Sequence, residues 1–198
     1  MIAGLILAGG RSSRMGGINK AFAELGGKTL LARAIERLRP QVSQLAVNAN
    51  DGAETFDTGG LLLLPDAFAG YVGPLAGIHA GLAWAAGLVD VTHLATVSVD
   101  APFIPLDLVE RLAAEDPRRV AVASSANRLH PTCALWPVET VTSVEAFLHR
   151  GETRRVMTFI EQTGHRAVDF DAGPFDPFFN VNTPDDLAVA ASILENGA

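Results

Sequence analysis

Ala3-Gly4-Leu5-Ile6-Leu7-Ala8 runs without a break into Gly9-Gly10-Arg11-Ser12-Ser13-Arg14-Met15-Gly16-Gly17-Ile18-Asn19-Lys20. The first six residues are continuously apolar, as in a strand buried on both faces. The loop that follows holds four glycines, which let the backbone turn tightly and bring its N–H groups close to an anion. Arg14 and Lys20 add positive charge in the same loop. A buried strand followed by such a loop is where open α/β sheets bind ligands, and this loop suits a triphosphate. It is not a Walker A loop, because Lys20 is followed by Ala21 rather than Ser or Thr. It is not a dinucleotide fingerprint either, because its glycines are paired and the second strand ends at Asn48 instead of an acid.

Outward from that loop, short apolar runs alternate with helical periods. Leu30, Leu31, Ala34, Ile35 and Leu38 repeat at helical spacing before Pro40. Residues 45–47, 61–64 and 94–99 read as strands. Gly73-Pro74 opens a small-residue helix to about Gly87. Helices are expected at 107–114, 138–149 and 154–162, and strands at 120–123, 133–136 and 166–170. The last helix has Thr183 as N-cap, Pro184 at its first position and Asp185 and Asp186 in its first turn. This alternation predicts a Rossmann-like, doubly wound, mainly parallel sheet in a three-layer α/β/α sandwich. One domain over residues 1–198 is expected, with 124–180 less regular and forming a subdomain over one end of the sheet.

Composition narrows the function. The chain has 198 residues, 48% of them hydrophobic and 19% charged, enough apolar material for a large core. A net charge of −7 argues against general nucleic-acid binding, which needs a positive surface. No apolar run reaches the length of a membrane span. The single cysteine excludes an intrachain disulfide and a cysteine zinc cage, and fits a reducing cytoplasm. The N-terminus lacks the charged start of a secretory signal.

Asp100 stands at the end of a buried strand in Val97-Ser98-Val99-Asp100-Ala101-Pro102. Magnesium on phosphates commonly takes only one or two protein carboxylates, so Asp100 is a candidate metal ligand; a carboxylate capping the next turn is the alternative. Asp66, and Asn48, Asn50 and Asp51, also follow strand ends, where they could bond a base or ribose or serve as turn residues. The five histidines show no zinc spacing. His130-Pro131-Thr132 precedes a strand, Cys133 reads as a small core residue, and no Ser-His-Asp triad is evident.

The loop at 7–20 closely resembles the signature of the bacterial molybdenum cofactor guanylyltransferases, within the wider nucleotidyltransferase superfamily. Cytidylyltransferases and sugar-nucleotide pyrophosphorylases share the general signature. The narrower resemblance rests on VNAN at 47–50, GPLAGI at 73–78, DAPFIP at 100–105, HPT at 130–132, RRVMTF at 154–159 and NVNTPDDL at 180–187, in that order. It covers nearly the whole chain. It implies a nucleotidyltransferase fold and transfer of GMP from GTP to the terminal phosphate of molybdenum-bearing molybdopterin, with release of pyrophosphate. It also implies a Mg2+ cofactor, and as partners molybdopterin-carrying and molybdoenzyme-assembly proteins. Leu7, Ala8, Gly9 and Lys20 match the family's triphosphate loop, Asn48 and Asp66 its nucleotide contacts, and Asp100 its magnesium ligand. Asn19 departs from the family, which often has an acid there.

The residues suit that chemistry. In-line attack at the α-phosphorus needs charge neutralised on the departing pyrophosphate. Lys20, Arg14 and the Gly9 and Gly10 amides are placed to do so, with magnesium on Asp100. The acceptor is an ionised phosphate, so no strong general base is required. The N-terminal half is then expected to hold the nucleotide and the C-terminal half the acceptor, through Arg155 (beside Arg154), Asn180 and Asn182. Three rivals stay open: the same chemistry with CTP or a sugar phosphate, an NTP hydrolase, and a silent nucleotide-binding module.

Overall fold

The computed structural model describes residues 1–9, 19–50, 56–68, 73–114, 116–151, 153 and 155–197. Its main strands are β1 (Ile2–Leu7), β4 (Gln44–Asn48), β5 (Leu62–Leu64), β6 (His93–Ser98), β7 (Val120–Ser125), β8 (Arg128–Pro137) and β9 (His165–Asp169). They form one seven-stranded sheet in the order β5-β4-β1-β6-β8-β7-β9. Every neighbour pair is parallel except the two made by β8. A two-stranded ribbon of β2 (Glu24–Leu25) and β3 (Lys28–Thr29) turns on Gly26 and Gly27, both at positive φ.

Both faces of the sheet are covered, as the apolar strands require. Ile6 packs on one face, while Ala3, Leu5 and Leu7 pack on the other, with the two-residue period of a strand. Helices α1 (Leu30–Leu38), α3 (Leu108–Ala113) and α6 (Pro184–Glu195) cover the first face. Helices α2 (Pro74–Ala86), α4 (Val141–Arg150) and α5 (Val156–Thr163) cover the second. Trp136 is fully buried there, and its Nε1 donates to Thr96 Oγ1 at 3.0 Å. Its removal would cost about 3–5 kcal/mol. Among the described residues, no helix is long and apolar enough to cross a membrane.

The small-residue composition of α2 has a steric reason. A Cβ on Gly81 would sit 2.5 Å from Leu5 Cδ2, and one on Gly77 would sit 2.1 Å from Asn48 Oδ1. The helix therefore lies closer to the sheet than side chains would permit.

Two sequence expectations need correction. The strand expected at 133–136 begins at Arg128, so His130-Pro131-Thr132 lies inside β8. Proline is tolerated there because the β7–β8 register shifts between Val122 and Ala123, leaving Pro131 outside the regular ladder. Nor is 124–180 a cover set apart from the sheet, because β8 and β9 are strands of that sheet. The β7–β8 hairpin turns through Ala126 (φ 47°) and Asn127 (φ 61°), both left-handed.

Topology fixes where a ligand can go. The chain steps from β1 to β4 to β5 in one direction, then β6 returns to the other side of β1. The crevice at the carboxyl ends of β1 and β6 is therefore the switch point of the sheet.

Candidate active site

The glycine loop leaves β1 at that switch point. Ala8 N donates to Asn48 O at 2.8 Å and Val99 N to Leu7 O at 3.0 Å, so the ends of β1, β4 and β6 are tied together. Leu7 and Ala8 are buried and Gly9 is exposed. Gly10, Arg14, Asp51 and Arg154 lie outside the described residues.

Lys20 opens a single 3-10 turn, Lys20–Phe22. Asn19, the departure from the family pattern, caps this turn by accepting from Ala21 N at 3.0 Å. Lys20 Nζ lies 2.7 Å from Asp100 Oδ2 and 2.6 Å from Asn182 Oδ1. Three segments up to 162 positions apart thus meet on one ammonium. The Lys20 and Asp100 side chains are each about one-fifth exposed, at 21% and 20%.

Asn182 is held there by its own backbone. Val181 N donates to Asp100 O at 2.8 Å. Asp186 Oδ2 accepts from the amides of Asn182 and Thr183, both at 2.9 Å, and Thr183 Oγ1 accepts from Asp186 N at 3.1 Å. This is a capping box on α6. The Asn182 amide, helped by Thr183, holds the Asp186 carboxyl below its ordinary range.

A second polar group stands at the end of β4. Asn48 Nδ2 donates to Asp66 Oδ1 and to Leu64 O, each at 2.9 Å. Asn50 Nδ2 donates to Asp66 Oδ2 at 2.9 Å, and Asn50 Oδ1 accepts from Asp66 N at 2.9 Å. Both oxygens of Asp66 are thereby oriented, each keeping acceptor capacity for a ligand. Sequence reading saw Asn50 as a strand-end residue but missed that it clamps Asp66.

The residues expected to bind the acceptor are brought together only in part. Asn182 stands beside Lys20 and Asp100, and Asn180 is two residues away on the same run. Arg155 is exposed at the N-cap of α5. Among the described residues, no hydrogen bond or ion pair joins it to Lys20, Asp100 or Asn182. Cys133 is buried, which pushes its thiol up to about 12 and leaves it without thiolate character.

Asp100 also bears on metal binding. Among the described residues no cluster of three or more His, Cys, Asp or Glu could cage an ion. Asp100 Oδ1, however, is buried and has no hydrogen-bond partner among the described residues. A carboxylate oxygen left unpaired in this way fits a cation that takes its remaining ligands from phosphates and water.

Known proteins share this fold and much of this sequence. The solved structure of the molybdopterin-guanine dinucleotide biosynthesis protein A of Archaeoglobus fulgidus superposes with a TM-score of 0.76 at 24% identity. It spans 98% of this chain and 99% of that one, and shows the shared fold. The molybdenum cofactor guanylyltransferase of Mesorhizobium japonicum is 47% identical over 98% of this chain and 97% of its own. That of Rhizobium leguminosarum bv. trifolii is 49% identical over 98% and 93%. A profile of the MobA-like NTP transferase domain matches residues 4–167, and with the near-full-length relatives this makes the chain a member of the MobA-like NTP transferase family.

Proposed function

We propose that the chain is a molybdenum cofactor guanylyltransferase, transferring GMP from GTP to the terminal phosphate of molybdenum-bearing molybdopterin. An acceptor phosphate oxygen bonds to the α-phosphorus, the bond from that phosphorus to the β-phosphate oxygen breaks, and pyrophosphate leaves with the electron pair. The observation that carries the reading is the Lys20 ammonium held between Asp100 and Asn182 at the switch point.

Lys20 supplies a fixed positive charge for the triphosphate, positioned by two partners before any ligand arrives. Gly9, exposed at the end of β1, stands where the same phosphates would pass, and Gly10 and Arg14 are assigned to them from the sequence alone. Asn48 and Asp66 hold the nucleoside, Asp66 offering acceptor oxygens suited to the N–H groups of a guanine edge. Asp100 is the residue to hold Mg2+, through the oxygen that has no partner among the described residues. When bound, the cation neutralises phosphate charge. Asn180, Asn182 and Arg155 take the acceptor, so the N-terminal half of the 1–198 domain serves the nucleotide and the C-terminal half the pterin. The same reading places the chain in the cytoplasm, in keeping with its single buried cysteine, among molybdopterin-carrying and molybdoenzyme-assembly proteins.

The test is mass spectrometry after incubation with magnesium, molybdenum-bearing molybdopterin and either GTP or CTP. A guanylylated pterin with GTP is expected. A cytidylylated product of equal yield, or rapid cleavage of GTP to GDP without acceptor, overturns the reading.

A further inference from the structure

Three polar side chains from separate segments meet at the carboxyl end of β7. Ser125 ends that strand and is fully buried; His130 is a buried residue of β8; Asp176 lies between β9 and α6. Ser125 Oγ is 2.7 Å from Asp176 Oδ1 and 2.7 Å from His130 Nε2. A carboxylate only accepts, so the single hydroxyl proton goes to Asp176. His130 must then carry its hydrogen on Nε2 and donate it to Ser125. Burial lowers the His130 pKa against the opposing pull of Asp176, which keeps the ring in this neutral form.

This chain of bonds grips one run of backbone. Asp176 Oδ1 also accepts from Phe178 N at 2.9 Å. The His130 ring stacks on Phe178 with centroids 4.6 Å apart. From Phe178 the backbone reaches Asn180, then Val181 on Asp100 O, then Asn182 on Lys20. None of the three is among the residues assigned above to the nucleotide, the cation or the acceptor. Apolar side chains would fill the same space without desolvating a carboxylate, a hydroxyl and an imidazole, so stability alone does not account for them. The adjoining turn is also strained: Ala126, a residue with a Cβ, sits at φ 47° directly after Ser125.

We propose that Ser125, His130 and Asp176 are positioning residues, a buried brace that holds residues 176–182 so that Asn180 and Asn182 present the acceptor phosphate to the nucleotide. The proposal rests on the reading that the C-terminal half binds the acceptor.

The test uses the full chain with Ser125→Ala, His130→Leu and His130→Gln, the last keeping an amide donor near the position of Nε2. Affinity for GTP, acceptor kinetics and amide exchange are measured on each variant. Ser125→Ala and His130→Leu are expected to lower acceptor kcat/KM by about 10- to 100-fold through misplacement. GTP affinity should stay within about twofold, and exchange should quicken at Val181 but not in β1 or β6. His130→Gln should recover most of the loss. Unaltered acceptor kinetics with only a lower melting temperature overturns the brace, as does a GTP defect equal to the acceptor defect. Wild-type transfer is the control. Its absence overturns the functional reading, whereas normal wild-type transfer beside unaltered variants overturns the brace alone.

Discussion

The two halves of the carboxyl edge are built on different sequence scales. On the side proposed for the nucleotide, Asn48, Asn50 and Asp66 find one another across 16 to 18 positions. On the side proposed for the acceptor, Ser125 and Asp176 are 51 positions apart, and Asn182 meets Lys20 across 162. A nucleotide site can be made from the ends of neighbouring parallel strands, where a βαβ crossover sets the spacing. The proposed acceptor side depends on one returning segment, 170–183, pinned at Asp100 just past β6 by Val181, to β7 by Asp176 and to α6 by Asp186. Damage on the first side should therefore stay local, while damage on the second should travel along that segment.

The largest effect is expected where the sides meet. Asp100→Ala should lower the transfer rate about 100- to 1000-fold with the fold intact. Steady-state rates across a magnesium titration check it, and wild-type-like activity at limiting magnesium would remove Asp100 from metal binding. Lys20→Ala should weaken GTP and slow transfer together, by about 100-fold in rate. Calorimetric GTP affinity beside single-turnover rates would show it, and no change in either would assign the loop to another ligand.

Two substitutions, one on each side, separate the halves. Gly77→Ala drives a methyl into Asn48 Oδ1 and should cost about 1–3 kcal/mol from overpacking. GTP affinity should fall with it, and acceptor affinity should not, as thermal melts and separate titrations would reveal. Asn182→Ala should raise the acceptor KM about tenfold, one hydrogen bond to a charged group, with GTP affinity nearly constant. Because Asn182 also holds Lys20, a GTP defect of equal size would erase the division between the halves.

The smallest effect is a pH dependence at Asp186. Its folded pKa is depressed, so the folded state binds fewer protons than the unfolded chain, whose aspartates titrate near about 3.9. The stabilisation is complete above that unfolded value and is lost as pH falls through the folded one. Urea midpoints of the wild type and Asp186→Asn should differ at neutral pH and converge in acid. A constant difference would contradict the capping role of the charge.

Some of this was legible from residues alone. The alternation of apolar runs and helical periods matched the sheet and all six helices to within a few residues. The loop, Lys20 and Asp100 stood out because strand-end chemistry is a local pattern. The β2–β3 ribbon was passed over, since two residues per strand carry no readable period. The first half of β8 was lost because Pro131 reads as a breaker, and the register shift that accommodates it is not a sequence property.

The residues alone were enough to set the class of fold, the strand after which the glycine loop leaves the sheet and the charged side chains that loop contains. Buried strands and glycine turns follow from hydrophobic burial and backbone sterics, which act over a few residues. Only the tertiary structure decided that Asn50 clamps Asp66, that Asn182 shares Lys20 with Asp100, and that a serine links His130 to Asp176. Those contacts need distant segments brought within 3 Å, and hydrogen bonds of that length leave no trace in local periodicity.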